Sequence, residues 1–161
     1  GIMKAYVTRV GSGPFPTELE NEIGENIRKI GGEFGATTGR PRRCGWFDVP
    51  SARYACRLNG FSAINLTKID ILNLLPEIRI GIAYRYRGKR ITEFPADLSI
   101  LQHCKVEYLD LPGWQSHLEH AKTFEELPKN CQRYIKTIEK FLGVPIAYIG
   151  TGRHRHEMIV R

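Results

Sequence analysis

The spacing of apolar residues changes period several times along the chain, and each change predicts an element. Residues 2–8 read as a buried strand, and GSGPFP then breaks the chain with Gly and Pro. From Thr17 the period becomes helical: Leu19, Ile23, Ile27 and Ile30 make one stripe. Thr17 with Glu20 three later fits a capping box, Glu18, Glu20 and Glu22 favour the positive end of the helix dipole, and Gly31-Gly32 supply a stop. Past an arginine-rich loop, SARYACRLNG reads as a short helix ending at Asn59-Gly60, and FSAINL as a short buried strand. Period two then runs through EIRIGIAYRYRGKRITEF. Ile78, Ile80, Ile82, Tyr84 and Tyr86 fall on one face, Arg79, Gly81, Ala83, Arg85 and Arg87 on the other, and Gly88 marks a hairpin turn. CKVEYLDL predicts another strand before a Pro-Gly-Trp break. In LPKNCQRYIKTIEKFLG, Pro128 suits a first turn, Cys131, Tyr134, Ile135, Ile138 and Leu142 line one face, and Gly143 ends the helix. VPIAYIG is a last strand before the tail GTGRHRH. Strands and helices alternate without linker or repeat, which predicts a single α/β unit over residues 1–161 with its strand order undetermined.

Charge narrows the partners. The 161 residues carry 24 Lys and Arg against 17 Asp and Glu, a net charge of +7, which favours nucleotides, nucleic acid or anionic metabolites. No apolar run approaches a membrane span, so a non-membrane protein is expected. Cys44, Cys56, Cys104 and Cys131 form no C-x-x-C pair, which argues against a zinc ribbon or a thioredoxin-type site and for reduced, cytoplasmic thiols packed as small hydrophobes. His117 and His120 are three apart but lack a third ligand at a recognisable spacing, so they read as a polar surface pair, with no metal expected. No targeting segment is visible, and a chain opening on a strand without an obvious initiator Met is expected to be a piece of something longer.

Two stretches carry chemistry. GATTGRPRRCGW sets Arg40, Arg42 and Arg43 in a turn-rich segment with no acidic residue between Glu33 and Asp48. A solvated basic loop is the plainest account. Gly39-Arg40-Pro41-Arg42-Arg43 also resembles an AT-hook core for the minor groove, although Thr38 stands where that motif has an arginine and the flanks belong to a folded chain. The third reading is a substrate loop: backbone amides and the hydroxyls of Thr37 and Thr38 receive one carboxylate, and arginine forks take a second carboxylate or a phosphate. Gly35 and Gly39 would let the backbone come close. The second stretch, INLTKID, ends a short apolar strand in Thr67-Lys68-Ile69-Asp70, the form of a guanine-specifying [NT]-K-x-D element. One carboxylate accepts from both N1–H and the 2-amino group of guanine, a pair of donors adenine lacks, and a lysine stem can lie over the purine. Ligands of open α/β sheets bind at the carboxyl ends of strands, which is where this motif falls. A G-x-x-x-x-G-K-[ST] phosphate loop is absent.

GPFPTEL, GEFGATTGRPRRCGW, LTKID, LPGW and GVPIAYIGTG, in that order, resemble the adenylosuccinate synthetase family, over essentially the whole chain and the C-terminal part of the family only. The resemblance implies the C-terminal portion of a P-loop-NTPase-like α/β enzyme, with a mainly β-sheet core flanked by helices. It implies a magnesium-dependent, cytoplasmic, homodimeric ligase of purine biosynthesis that joins inosine monophosphate (IMP) and L-aspartate with GTP, forming GDP and adenylosuccinate. Residue by residue, it makes Ala36, Thr37, Thr38, Gly39, Arg40, Pro41 and Arg42 the aspartate loop, with Arg40 also at IMP and Arg42 shared with GTP. Val10 is implied at the IMP site, and Lys68, Ile69, Asp70, Gly150, Thr151 and Gly152 at guanine. The phosphate loop, the magnesium site, the catalytic aspartate and the catalytic histidine are implied to lie in the N-terminal part, so these residues alone are expected to be inactive. The alternative from another class is a non-enzymatic basic module binding nucleic acid through Arg40–Arg43.

Overall fold

A computed structural model describes residues 1–161. It is a mixed α/β structure with three sheets and flanking helices, in line with the predicted class. The first sheet has the order β1 (Ile2–Lys4), β5 (Ile64–Thr67), β9 (Ile146–Gly150), β10 (Met158–Val160). β1, β5 and β9 are parallel, and β10 closes the edge antiparallel. β2 (Val7–Arg9) and β3 (Arg43–Gly45) form an antiparallel pair. In the third sheet, β6 (Glu77–Tyr86) pairs with β4 (Phe47–Asp48), β7 (Lys89–Ile91) and β8 (Lys105–Pro112). One connected cluster of buried side chains draws on all three sheets and on helices α1 (Glu22–Gly31), α2 (Val49–Asn59) and α4 (Lys129–Leu142).

The expected strand at 2–8 is two strands in different sheets. Ala5 N–H continues the pairing with β5 by donating to the Thr67 carbonyl (2.9 Å), but the Ala5 carbonyl accepts from the Tyr134 hydroxyl instead (2.5 Å). Tyr6 then turns inward and the chain joins β3. The first helix also starts later than predicted. Thr17 lies in a turn and Glu18 bridges Gly45 of β3, with the Thr17 carbonyl accepting from Trp46 N–H (3.0 Å) and Leu19 N–H donating to the Cys44 carbonyl (2.9 Å). That pairing removes Thr17 as a cap, and Asn21 takes its place by accepting from Gly24 N–H (3.2 Å). Ile27 is buried as expected, whereas Ile30 is exposed.

In β6 the alternation changes phase midway. Ile78 and Ile80 are buried, but the pairing with β8 slips between Gly81 and Ala83, after which Ala83 and Tyr84, on opposite faces of the strand, are both buried and Ile82 is only partly covered. A one-residue bulge exchanges the two faces of a strand, and strict period two cannot register it. Helix α3 (Leu98–His103), the 3₁₀ turn at Ile69–Leu72 and strand β10 were not predicted. α4 follows its predicted stripe: Cys131, Tyr134, Ile135, Ile138 and Leu142 are all buried, and Gly143 closes it in the left-handed conformation. In the LPGW segment, a Cβ on Gly113 would stand 1.7 Å from the Leu75 carbonyl oxygen, so only glycine fits there, and Trp114 Nε1 donates to Asn73 Oδ1 (2.9 Å). No helix is long and apolar enough to cross a membrane.

Candidate functional site

Because β1, β5 and β9 are parallel neighbours, their carboxyl ends open on one edge of the sheet. The chain leaves β5 through Lys68, which is left-handed (φ 59°), and enters the 3₁₀ turn that holds Asp70. Ile69 is fully buried, so its side chain anchors the turn. β9 ends beside it: a Cβ on Gly150 would lie 3.5 Å from Thr67 Cα, an ordinary contact. The two motifs, 80 residues apart in sequence, are therefore adjacent in space. Gly152 is pressed against Glu157, whose carboxylate a Cβ there would overlap, and Thr151 is fully buried. Asp70 Oδ1 and Thr151 Oγ1 are both buried without a hydrogen-bond partner. Buried polar atoms ordinarily have partners, so this pair has acceptor capacity that the protein itself does not meet. Burial pushes the Asp70 carboxyl above its ordinary pKa, against the pull of its own backbone, Lys68 and Arg153.

The arginine loop springs from the C-terminal end of α1. Phe34 and Pro41 pair across its base, Gly35 N–H donates to the Arg40 carbonyl (2.8 Å), and Gly39 N–H to the Gly35 carbonyl (2.9 Å). Gly39 has φ 65°, the left-handed region glycine enters without strain. Ala36 through Pro41 are exposed, and the backbone amides of Ala36, Thr37 and Thr38 have no acceptor. Thr38 Oγ1 accepts weakly from Arg40 N–H (3.4 Å).

The three arginines differ. Arg43 is committed to structure: it pairs with Glu18, donates to the carbonyls of Gly11 (3.1 Å) and Gly13 (2.8 Å), and lies over the Phe15 ring. Arg42 donates through Nη1 to Glu33 (3.0 Å), while its Nε is buried with no acceptor. The Arg40 side chain has no protein partner and is exposed. Arg40–Arg43 is thus no continuous cationic strip, and the nucleic-acid reading loses its footing. Val10 is exposed just past β2, and since Arg9 pairs with Arg43, it extends that register to the position facing Arg42.

Beneath the loop sits a residue the sequence reading used only as a boundary. Glu33 is fully buried. Its carboxylate accepts from Lys4 Nζ (2.9 Å), Arg42 Nη1 (3.0 Å), Lys68 Nζ (2.9 Å) and the Tyr6 hydroxyl (2.7 Å). Burial alone would raise its pKa, but the bonds from Lys68, Tyr6 and Lys4 outweigh burial and bring it down to about 2. Lys68 also donates to the Gly31 carbonyl (2.7 Å), so its ammonium is fixed on the helix end beneath the loop. An acidic residue isolated in a basic stretch was the only available signal for Glu33, since its partners lie 29 and 35 residues away at Lys4 and Lys68.

No cluster of three or more His, Cys, Asp or Glu side chains forms a metal-binding group. His117 and His120 lie exposed around a turn, not on a helix. Cys44, Cys56 and Cys131 are buried free thiols, and Cys104 is partly covered.

The adenylosuccinate synthetase family model matches residues 1–159. Adenylosuccinate synthetase of Paramecium tetraurelia is 55% identical over 161 residues, covering 100% of this chain and 37% of the relative. That of Mycosarcoma maydis is 53% identical, covering 100% and 37%. A chloroplastic adenylosuccinate synthetase of Oryza sativa subsp. indica is 52% identical over 162 residues, covering 100% and 33%. The chain therefore spans little more than a third of the length of the curated relatives it matches. The structure of fully ligated adenylosuccinate synthetase from Plasmodium falciparum superimposes with a TM-score of 0.95 at 40% identity, over 99% of this chain and 39% of that one.

Proposed function

This chain belongs to the adenylosuccinate synthetase family, and we propose that it forms the aspartate-receiving and guanine-reading part of a GTP-dependent ligase of purine nucleotide synthesis. The reading is carried by one observation: Lys68–Asp70 and Gly150–Gly152 meet at the carboxyl ends of neighbouring parallel strands, with two buried oxygens there lacking partners. Asp70 accepts from N1–H and the 2-amino group of guanine, and the stem of Lys68 lies along the base. Across the edge, the free amides at Ala36–Thr38 receive one carboxylate of L-aspartate. The unpaired Nε edge of Arg42 takes the other, or a GTP phosphate oxygen, and exposed Arg40 and Val10 border IMP.

In the reaction, the γ-phosphoryl group of GTP moves to the purine 6-oxygen of IMP, releasing GDP. The aspartate amine then attacks C6, phosphate departs with the 6-oxygen, and the nitrogen loses its proton. Here the loop orients the amine, and Arg40 and Arg42 stabilise the negative charge on phosphate and carboxylate. Magnesium neutralises the nucleotide phosphates when bound, and we assign it, with the phosphate-cradling loop and the acid–base residues, to parts of the enzyme outside these residues. These 161 residues by themselves are accordingly expected to give no turnover. We assign the intact enzyme to the cytoplasm as a homodimer.

The test is Asp70→Asn in the intact enzyme. It exchanges two acceptor oxygens for one donor and one acceptor, which removes at least one charge-assisted hydrogen bond, about 1.5–3 kcal/mol. kcat/KM for GTP should fall by about tenfold or more and that for xanthosine triphosphate should rise. An unchanged preference for GTP removes Asp70 from the base site.

A further inference from the structure

Glu33 belongs to neither of the two assigned segments, yet it holds one residue from each. Its Oε1 accepts from Lys68 (2.9 Å), which leads into the base-reading turn, and its Oε2 accepts from Arg42 (3.0 Å), which closes the arginine loop. Lys4 bonds both oxygens (3.0 and 2.9 Å) and also Thr8 Oγ1 (2.9 Å), and Tyr6 bonds Oε1 (2.7 Å). These last two fasten the carboxylate to β1 and to the segment just after it, independently of either subsite partner. Three cations share a single anion, and they repel one another in a partly desolvated space. Whatever draws Lys68 away leaves more of the carboxylate to Arg42, and the reverse also holds.

The backbone around Glu33 carries the same connection. Its carbonyl accepts from Arg42 N–H (2.9 Å). The preceding helix end receives Lys68 at the Gly31 carbonyl (2.7 Å) and Arg153, from the second base-reading loop, at the Ile30 carbonyl (3.2 Å). Arg28, on the same helix, donates to the Arg42 carbonyl (2.7 Å). The end of α1 is therefore fastened to both base-reading segments and to the base of the arginine loop.

We propose that Glu33 is a positioning residue that couples the two subsites, so that a guanine nucleotide against Lys68–Asp70 changes the affinity of the Ala36–Arg42 loop for its dicarboxylate, and the dicarboxylate changes the affinity for the nucleotide by the same factor. The proposal rests on the assignment of those two segments to guanine and to L-aspartate. It separates Glu33 from a residue that merely keeps the site folded, because a structural defect weakens both ligands without altering the ratio between their single and joint affinities.

The experiment is calorimetric titration of the intact enzyme, with IMP present, by L-aspartate at zero and saturating GDP, and by GDP at zero and saturating L-aspartate. In the parent the two factors should agree and amount to about fivefold or more. In Glu33→Gln, which keeps the shape and removes the charge, the factor should fall close to one. Should that variant fail to fold, Glu33→Asp keeps the buried charge but is one methylene too short to span Arg42 and Lys68 together, and its factor should likewise fall. A parent that binds both ligands with a factor of one, or variants that lose affinity but retain the parental factor, would overturn the proposal. A parent that binds GDP or L-aspartate nowhere refutes the underlying site assignment instead, and the coupling falls with it.

Discussion

Two regions of the molecule are rich in arginine and differ in what holds the charge. Along β6, β7 and β8, Arg79 meets Glu77 (3.0 Å) and Asp110 (2.9 Å), while Arg85 (2.8 Å) and Arg90 (3.0 Å) share Glu107. Every member of these pairs keeps substantial contact with solvent, and no buried polar atom there lacks a partner. At the strand-end edge a single fully buried carboxylate carries three cations, and Arg42 Nε, Asp70 Oδ1 and Thr151 Oγ1 are buried unpaired. Counting arginines does not tell these regions apart. Following each polar group to its partner does: the ribbon is complete as it stands, and the edge leaves buried polar groups unpaired.

The comparison breaks most visibly at Arg42. Arg42→Lys retains the charge that pairs with Glu33 but loses the planar fork and its Nε–H. In the intact enzyme the KM for aspartate should rise by about tenfold or more, the loss of one charge-assisted hydrogen bond, with the KM for IMP little changed. Steady-state kinetics at saturating IMP and GTP measure this, and an unaltered aspartate KM would make the loop an ordinary solvated surface like the β6–β8 ribbon.

Glu33→Gln tests the stability side. With a folded pKa of about 2 against an ordinary 4.5, the parent binds fewer protons folded than unfolded between those values. The carboxylate therefore stabilises fully above pH 4.5, and its contribution is lost as the pH falls towards 2, about 3 kcal/mol in all. The same magnitude follows from breaking a buried ion pair. The variant should melt several degrees lower at neutral pH, and its melting temperature should depend less on pH between 4.5 and 2 than the parent's. Parallel acid profiles for the two would show that Glu33 titrates normally.

The smallest effect is expected on the ribbon. Arg90→Ala removes an exposed partner of Glu107 and should change stability by no more than about 0.5 kcal/mol, because exposed pairs are screened and Arg85 remains. kcat/KM for all three substrates should be unchanged. A kinetic defect from Arg90→Ala would mean that the division between the two regions is drawn in the wrong place.

What the sequence disclosed follows the range of the interactions involved. α4 was legible because five residues at helical spacing leave no other face to bury, and Gly143 marks its end locally. The loop and the T-K-x-D turn were legible because their chemistry lies in consecutive residues. Thr17 misled because a local capping pattern lost to a backbone bond far along the chain, the carbonyl of Thr17 being taken by Trp46. The bulge at Gly81–Ala83 depends on β8, and the Glu33 cluster depends on Lys4, Arg42 and Lys68, which no single window contains. Local chemistry singles out candidate groups, and only the fold shows what positions them.

The interleaved order of the first sheet has a consequence for synthesis. β1 spans residues 2–4, β5 spans 64–67, and β9 arrives only at 146–150. The arginine loop closes on bonds between residues 33 and 42 and needs only a near neighbour in the chain. The strand-end edge that carries Asp70 and Thr151 needs its first and last strands on either side of the middle one. A nascent chain halted before Ile146 thus has the loop's closing partners in hand while Leu66 and Asn65 still present an open, unpaired β edge to solvent. Such an edge invites pairing with foreign strands, so the last strand delivered both brings Gly150 beside Thr67 and covers the open seam of the unfinished chain.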